Sequence, residues 1–223
     1  MSKKIYIERS TADASGIVYH NDTYTNVQDA LDSLLVPALS ITSFTNTSGI
    51  HEYGETVTEV TLNWAINKTI DTQTLDNGIG EVTSTLRTYT HTGQTITASR
   101  TYTLSVTKGS ESDSKSTTIQ FSHKRYWGSY VGGTIDSTGI LSLDSEFASS
   151  RLMTKSMDGN GGYLYICYPA SWGTATFRVN GLQNTAWSLS VQDFTNASGY
   201  TSSFNVYRSL YVQYGTGIEV QVL

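Results

Sequence analysis

The chain has little of what most folds and most enzymes rely on. It holds one cysteine and two prolines in 223 residues, and only 15% of its residues are charged. A single cysteine excludes an internal disulfide and makes a structural zinc site untenable. Cys167 lies in the apolar run Tyr163–Tyr168, where a buried small hydrophobe is expected and nothing nearby would activate a thiol. The net charge is −5, and no basic run extends beyond His123-Lys124-Arg125, which excludes nucleic acid as a main partner. No apolar stretch approaches the roughly 18 residues of a membrane span. The opening MSKKIYIERS lacks the apolar segment of a secretory signal, so a product made in a cytoplasm and not exported by the usual route is expected. No GxSxG, P-loop or GxGxxG pattern occurs, so neither a nucleophile elbow nor a phosphate cradle is indicated.

Thr, Ser, Gly, Asn and Tyr take the place of charge, with 15 tyrosines and 11% aromatic residues. This composition suits strands with polar, weakly charged outer faces. The expected fold class is mainly β, in three parts. Residues 1–38 form a short arm and one amphipathic helix, 39–124 an immunoglobulin-like β-sandwich, and 125–223 a C-terminal β-sandwich or jelly-roll-like domain.

The helix is expected over Tyr24–Leu35. Thr25 and Gln28 have the spacing of a capping box, and Pro37 ends the segment. Val27, Ala30, Leu31 and Leu34 fall on one face at i, i+3, i+4 and i+7. About three turns do not hold alone in water, so that face must be covered. These four residues are the candidate oligomerisation and attachment surface.

The sandwich is read from alternation. Val60, Leu62 and Trp64 share one face, as do Tyr102, Leu104 and Val106, and Thr117, Ile119 and Phe121. Lys108–Ser114 is expected as a polar hairpin loop, and Asn77-Gly78 and Thr92-Gly93 as turns. Trp64 is expected at the centre of the core. In the last part strands are expected at Ile140–Leu143, Gly162–Tyr168, Ala175–Val179, Trp187–Asp193, Ser203–Ser209 and Ile218–Leu223, with a short helix at Ser145–Leu152. Asp158–Gly162 and Asn196–Gly199 read as loops.

The search for chemistry returns little. His20, His51, His91 and His123 stand singly, without ligand spacing. Asp71 and Asp76, or Asp158 and Asn160, offer oxygen atoms but not the spacing of a calcium loop. Glu52, Glu55 and Glu59 read as exposed carboxylates at a strand start, and Asp144 with Glu146 makes no convincing acid pair. Four Asn-x-Ser/Thr sequons, at Asn21, Asn46, Asn67 and Asn196, read as chance in an Asn- and Thr-rich chain. No metal or cofactor is expected, and no catalytic residue. The aromatics of the last part are the remaining lead. Trp187 and Tyr207 sit in core-like patterns, while Trp172, beside Pro169-Ala170-Ser171 and Gly173, is the candidate surface-contact aromatic.

Several segments resemble structural proteins of tailed bacteriophages, notably the crAss-like and related Bacteroides phages. They are YTNVQDALDSLL running on through Phe44, GETVTEVTLNWAINK (Gly54–Lys68), RTYTLSVTKG (Arg100–Gly109), FSHKRYWGS (Phe121–Ser129), YICYPASWGTATFRVNG (Tyr165–Gly181) and SGYTSSFNVYRS (Ser198–Ser209). The resemblance covers most of the chain in one order, and its motifs are recurrent words, not catalytic signatures. It implies a head fibre or capsid decoration subunit on the virion surface. Such a subunit is a homo-oligomer, expected as a trimer, held by its N-terminal end to another virion protein and displaying its C-terminal domain. The competing expectation is a tail-fibre-type adhesin that recognises host-surface glycan. A polysaccharide-cleaving enzyme ranks third, because about 99 residues without an acid pair is small for that task.

Overall fold

The structure, a computed structural model, describes Leu31 and residues 37–223. Leu31 is helical and 41% exposed. Val27, Ala30 and Leu34, with the N-terminal arm, lie outside the described residues. Among those described, the chain is mainly β.

The strands up to residue 130 are β1 (Ile41–Asn46), β2 (Ile50–Glu52), β3 (Val60–Ile66), β4 (Thr72–Leu75), β5 (Gly80–Val82), β6 (Thr88–His91), β7 (Arg100–Lys108) and β8 (Glu111–Tyr130). Strands β1, β3 and β6 form one sheet; β8, β7, β4 and β5 are neighbours in another, and β2 joins β8 in parallel. This two-sheet order is immunoglobulin-like. The alternation read from the sequence is the cause: Val60, Leu62 and Trp64 are buried, as are Tyr102, Leu104 and Val106, while Thr61 and Asn63 are only half-covered and Ala65 is exposed. The turn between β7 and β8 is tighter than expected. Only Gly109 and Ser110 separate the strands, and Gly109 takes φ +56°, so most of Lys108–Ser114 is strand, not loop.

The chain divides into two compact units. The first comprises the described residues up to Thr45 with Asn63–Tyr89 and Tyr102–Thr117; the second comprises Asn46–Leu62, Thr90–Thr101 and Thr118–Leu223. Position 124 lies inside β8 and within the second unit. In the first unit the core gathers around Trp64, whose ring meets Phe44 edge-on at 6.3 Å. The indole Nε1 donates to Oε1 of buried Gln73 at 3.0 Å. Gln73 Nε2 in turn donates to the carbonyls of Thr83 and Leu86. One amide thereby satisfies an indole N–H that burial would otherwise leave without water and ties down two part-buried loop carbonyls.

In the second unit the remaining elements are α1 (Ser137–Leu141), β9 (Asp144–Ala148), β10 (Met153–Met157), β11 (Tyr163–Pro169), β12 (Phe177–Val179), β13 (Leu182–Asn184), β14 (Trp187–Thr195), β15 (Thr201–Ser209) and β16 (Ile218–Val222). The sheet runs β14-β15-β11-β8, with β9 also on β8, and a second sheet runs β10-β16-β12-β13. All of these pairings are antiparallel. Alternate residues of the first sheet therefore build two cores. Trp127, Leu164, Ile166, Tyr168 and Tyr207 pack with Met153, Phe177, Val220 and Val222 of the second sheet. On the opposite face, Tyr126, Tyr165, Cys167, Phe204 and Val206 pack under Ile135, Ile140 and Leu143. Cys167 is fully buried there, and burial pushes its thiol well above the usual range.

Two local expectations are reversed. Ile140–Leu143 was expected as strand, but Ser137–Leu141 is helix; Ser145–Leu152 was expected as helix, but Asp144–Ala148 is strand. Asp136 decides the first by capping the turn, accepting from the Gly139 amide at 2.8 Å. Ser145 and Phe147 then pair with Tyr126 and Lys124 of β8, which holds their segment extended.

Candidate functional site

The second unit holds two arrangements of polar side chains, one buried and one open. The buried one begins at Glu52, expected to be exposed but only 2% accessible. Its pairing in β2 with Ser122 of β8 turns the carboxylate inward. There Tyr126 donates its phenol hydrogen bond at 3.1 Å, and Lys124 Nζ lies 3.1 Å from the other oxygen. Desolvation, followed by the Glu52 charge, drives the Tyr126 phenol far above its ordinary value. Tyr53 continues the cluster, with its ring 4.6 Å from His123 and stacked on Tyr200 at 5.5 Å. Burial lowers the His123 pKa, and the nearby Glu52 charge opposes that shift in part. Asn196 closes the group: its amide donates to the Tyr53 carbonyl at 2.7 Å, and its oxygen accepts from the Ser198 and Tyr200 amides. Gly54 has φ +95°, and a Cβ there would sit 2.7 Å from Tyr200 Cβ, so only glycine fits. With Glu52 and Asn196 hydrogen-bonded and the rings packed, the cluster fastens β2 and the turn after it to β8 and to the turn before β15.

The open arrangement is a cleft of about 360 Å³ on the face of the sheet that α1 covers in part. A helix of five residues is too short to roof four strands. Beyond it, registers set a row across the sheet: Ser188 of β14, Arg208 of β15, Tyr165 of β11. Ser190 and Val206 form the next pair. The rim is Gly133–Ile135, in the segment leading into α1. Tyr165 Oη donates to the Gly132 carbonyl at 2.9 Å, and Arg208 Nη1 donates to the Gly133 carbonyl. Glycine is needed at 132, where a Cβ would fall 2.6 Å from the Tyr130 ring and 2.9 Å from the Thr134 oxygen. The Arg208 guanidinium also lies over the Tyr163 ring, 4.8 Å from its centre, which fixes its plane. Its Nε is buried without a partner. Burial raises the pKa of Tyr165, and Arg208 works against that rise.

The residues singled out in the sequence lie elsewhere. Trp172 sits in a single 3-10 turn, Ala170–Trp172, half-buried against the inter-sheet core and stacked on Tyr168 at 6.2 Å. Its carbonyl accepts from Arg151 Nη1 at 2.7 Å. Among the described residues the most exposed aromatics are Tyr211 and Tyr214, at 69% and 80%. Tyr207 is buried, and Trp187 stacks on Phe177 at 4.4 Å. Glu146 bonds Lys155 and Arg125, Lys155 first in effect, and these cations hold its carboxyl below the usual range. Among the described residues no group of three or more His, Cys, Asp or Glu side chains is placed to hold a metal ion. No described helix is long and apolar enough to cross a membrane. Sequence reasoning weighed Glu52 only as an exposed carboxylate and did not single out Arg208. For Arg208 the available signal was an arginine in phase with Phe204 and Val206, on a face of β15 that those two bury in the core.

No protein-family model and no curated protein matches this chain. Among solved structures it is similar to the titin Ig tandem domains A164-A165, at 12% identity, 83% of this chain, 94% of that chain and a TM-score of 0.25. It is similar also to Sidekick-1 immunoglobulin domains 1-5, at 15% identity, 80% of this chain, 33% of that chain and a TM-score of 0.31. A third likeness is to the N-terminal eight Ig domains of Down Syndrome Cell Adhesion Molecule, at 10% identity, 82% of this chain, 26% of that chain and a TM-score of 0.24. Likenesses this loose carry no function across.

Proposed function

We propose that the chain is a non-enzymatic virion structural protein, a head fibre or capsid decoration subunit. It attaches through its N-terminal region, assembles as a homo-oligomer, and displays its C-terminal β domain on the particle surface. The bacteriophage resemblance is the source of this reading. The observation that supports it is the buried cluster of Glu52, Lys124, Tyr126, Tyr53 and Asn196, which ties β2 and its following turn to β8 and to the turn before β15. A subunit exposed on a particle needs such rigidity, since local opening invites proteolysis. The test is Leu31→Asp. The expected outcome is loss of oligomer by sedimentation and loss of particle association, with Trp64 fluorescence unchanged. Unfolding of the Trp64 core by the same change would reduce the helix to a lid on its own domain.

A second reading, a receptor-binding adhesin for host-surface glycan, is favoured by one observation: the open cleft beside Arg208, walled by hydroxyls and floored by Val206 and Tyr165. Both readings display the last part of the chain, and only the second gives it a ligand. A glycan array separates them, with binding by the isolated protein favouring the adhesin.

A further inference from the structure

The cleft beside Arg208 is selective in its charge. Arg208 is the only charged residue lining it. Among the described residues Arg208 forms no ion pair with a carboxylate, whereas Glu52, Glu111 and Glu146 are each paired with a lysine or arginine. An uncompensated guanidinium in a chain of net charge −5 makes this cleft a local positive site. The cation is held ready: the Gly133 carbonyl and the Tyr163 ring fix its position, and the buried Nε has no partner. Little ordering cost remains for a ligand to meet.

The rest of the lining sets the ligand class. Ser188 and Ser190 present hydroxyls from the edge strand, each within 3.4 Å of a β15 carbonyl as donor and so left with its acceptor lone pairs. Val206 and the Tyr165 ring supply an apolar floor. Hydroxyls around an apolar patch suit the two faces of a pyranose, and the single guanidinium suits a carboxylate on it. A volume of 360 Å³ is at the small end of ligand pockets, sized for one sugar residue with its neighbours outside. A phosphate-rich ligand would call for more than one cation, and the net charge disfavours an anionic membrane.

We infer that this cleft binds a carboxylate-bearing sugar, a uronic acid residue of a polysaccharide, with Arg208 on the carboxylate and Ser188 and Ser190 on ring hydroxyls. The inference deepens the adhesin reading and rests on it, but particle association is measured without any ligand, so the two can fail separately.

The test is NMR titration of the full chain with a glucuronate-containing tetrasaccharide, neutral maltotetraose, free glucuronate and sodium acetate. The acidic tetrasaccharide should shift the Arg208 Nε–H and the Ser188 and Ser190 amides, and bind at least about tenfold more tightly than maltotetraose or acetate. Free glucuronate should shift the same resonances more weakly; if it binds as tightly as the tetrasaccharide, the polysaccharide assignment is wrong. Arg208→Gln should abolish the shifts. Should that variant fail to fold, Ser190→Val, on the exposed edge strand, should weaken binding several-fold while the spectrum stays folded. Equal binding of maltotetraose, equal binding of acetate, or shifts clustered away from the cleft would each overturn the inference.

Discussion

The phenol of Tyr126 donates to the carboxylate of Glu52 across 3.1 Å of space and 74 residues of sequence. Glu52 stands at the end of the short strand β2, and Tyr126 faces the α1-covered core. Removing the hydroxyl leaves one oxygen of a buried carboxylate short of a donor. Tyr126→Phe is expected to cost about 1–3 kcal/mol, read as a shift of the urea midpoint with unchanged slope. A change within error would mean that water or Lys124 replaces the phenol at no cost.

Gln73 carries a larger share in the first unit. Its amide serves Trp64 Nε1 and two loop carbonyls. Gln73→Ala strands the buried indole N–H and releases two part-buried carbonyls, and is expected to cost at the upper end of about 1–3 kcal/mol, with a change in tryptophan emission. Gln73→Glu keeps the acceptor for the indole but sets a carboxylate against two carbonyls, and should be no better than the alanine.

His123 gives a pH dependence of stability. Burial depresses its folded pKa below the ordinary 6.5, so the unfolded chain binds the proton more readily. Its contribution is complete above 6.5 and is lost as pH falls through the depressed folded value. The melting temperature should therefore fall on acidification below 6.5, and His123→Gln should flatten that slope. Glu146 acts in the same direction at lower pH, because Lys155 and Arg125 hold its carboxyl below 4.5. A melting temperature that rises between pH 6.5 and 5.5 would contradict the assignment for His123.

Asn196 is a sequon by sequence and a structural residue by position. At 6% exposure, with its amide on the Tyr53 carbonyl, it has no room for a glycan. If the chain is forced through a secretory pathway, peptide mapping should find Asn196 unmodified. Occupancy at Asn196 would show that its turn opens before the fold closes.

The strands with clean alternation, β3 and β7, were legible because each has one buried face and one half-covered. Strands β11, β14, β15 and β16 were legible from β-branched and aromatic runs between turn residues. Ile140–Leu143 was not, because a short apolar run fits helix and strand equally; the deciding residue, Asp136, acts from outside it. Strand β10 was missed because MTKSM shows only two apolar residues, at its ends, and both are buried. The burial of Glu52 could not be read locally, since its partners lie 72 and 74 residues away. The cleft was hidden for a related reason: Ser188, Arg208 and Tyr165 become neighbours only through strand register.

The central claim is that this chain is a displayed subunit of a virus particle. Cryo-electron microscopy of purified particles, with mass spectrometry of the same preparation, tests it most directly. The account predicts the chain in the particles at a fixed copy number, with oligomeric density rooted at the N-terminal region and the last β domain outermost. Its absence from intact particles, or a monomer found only in the lysate, would contradict the account.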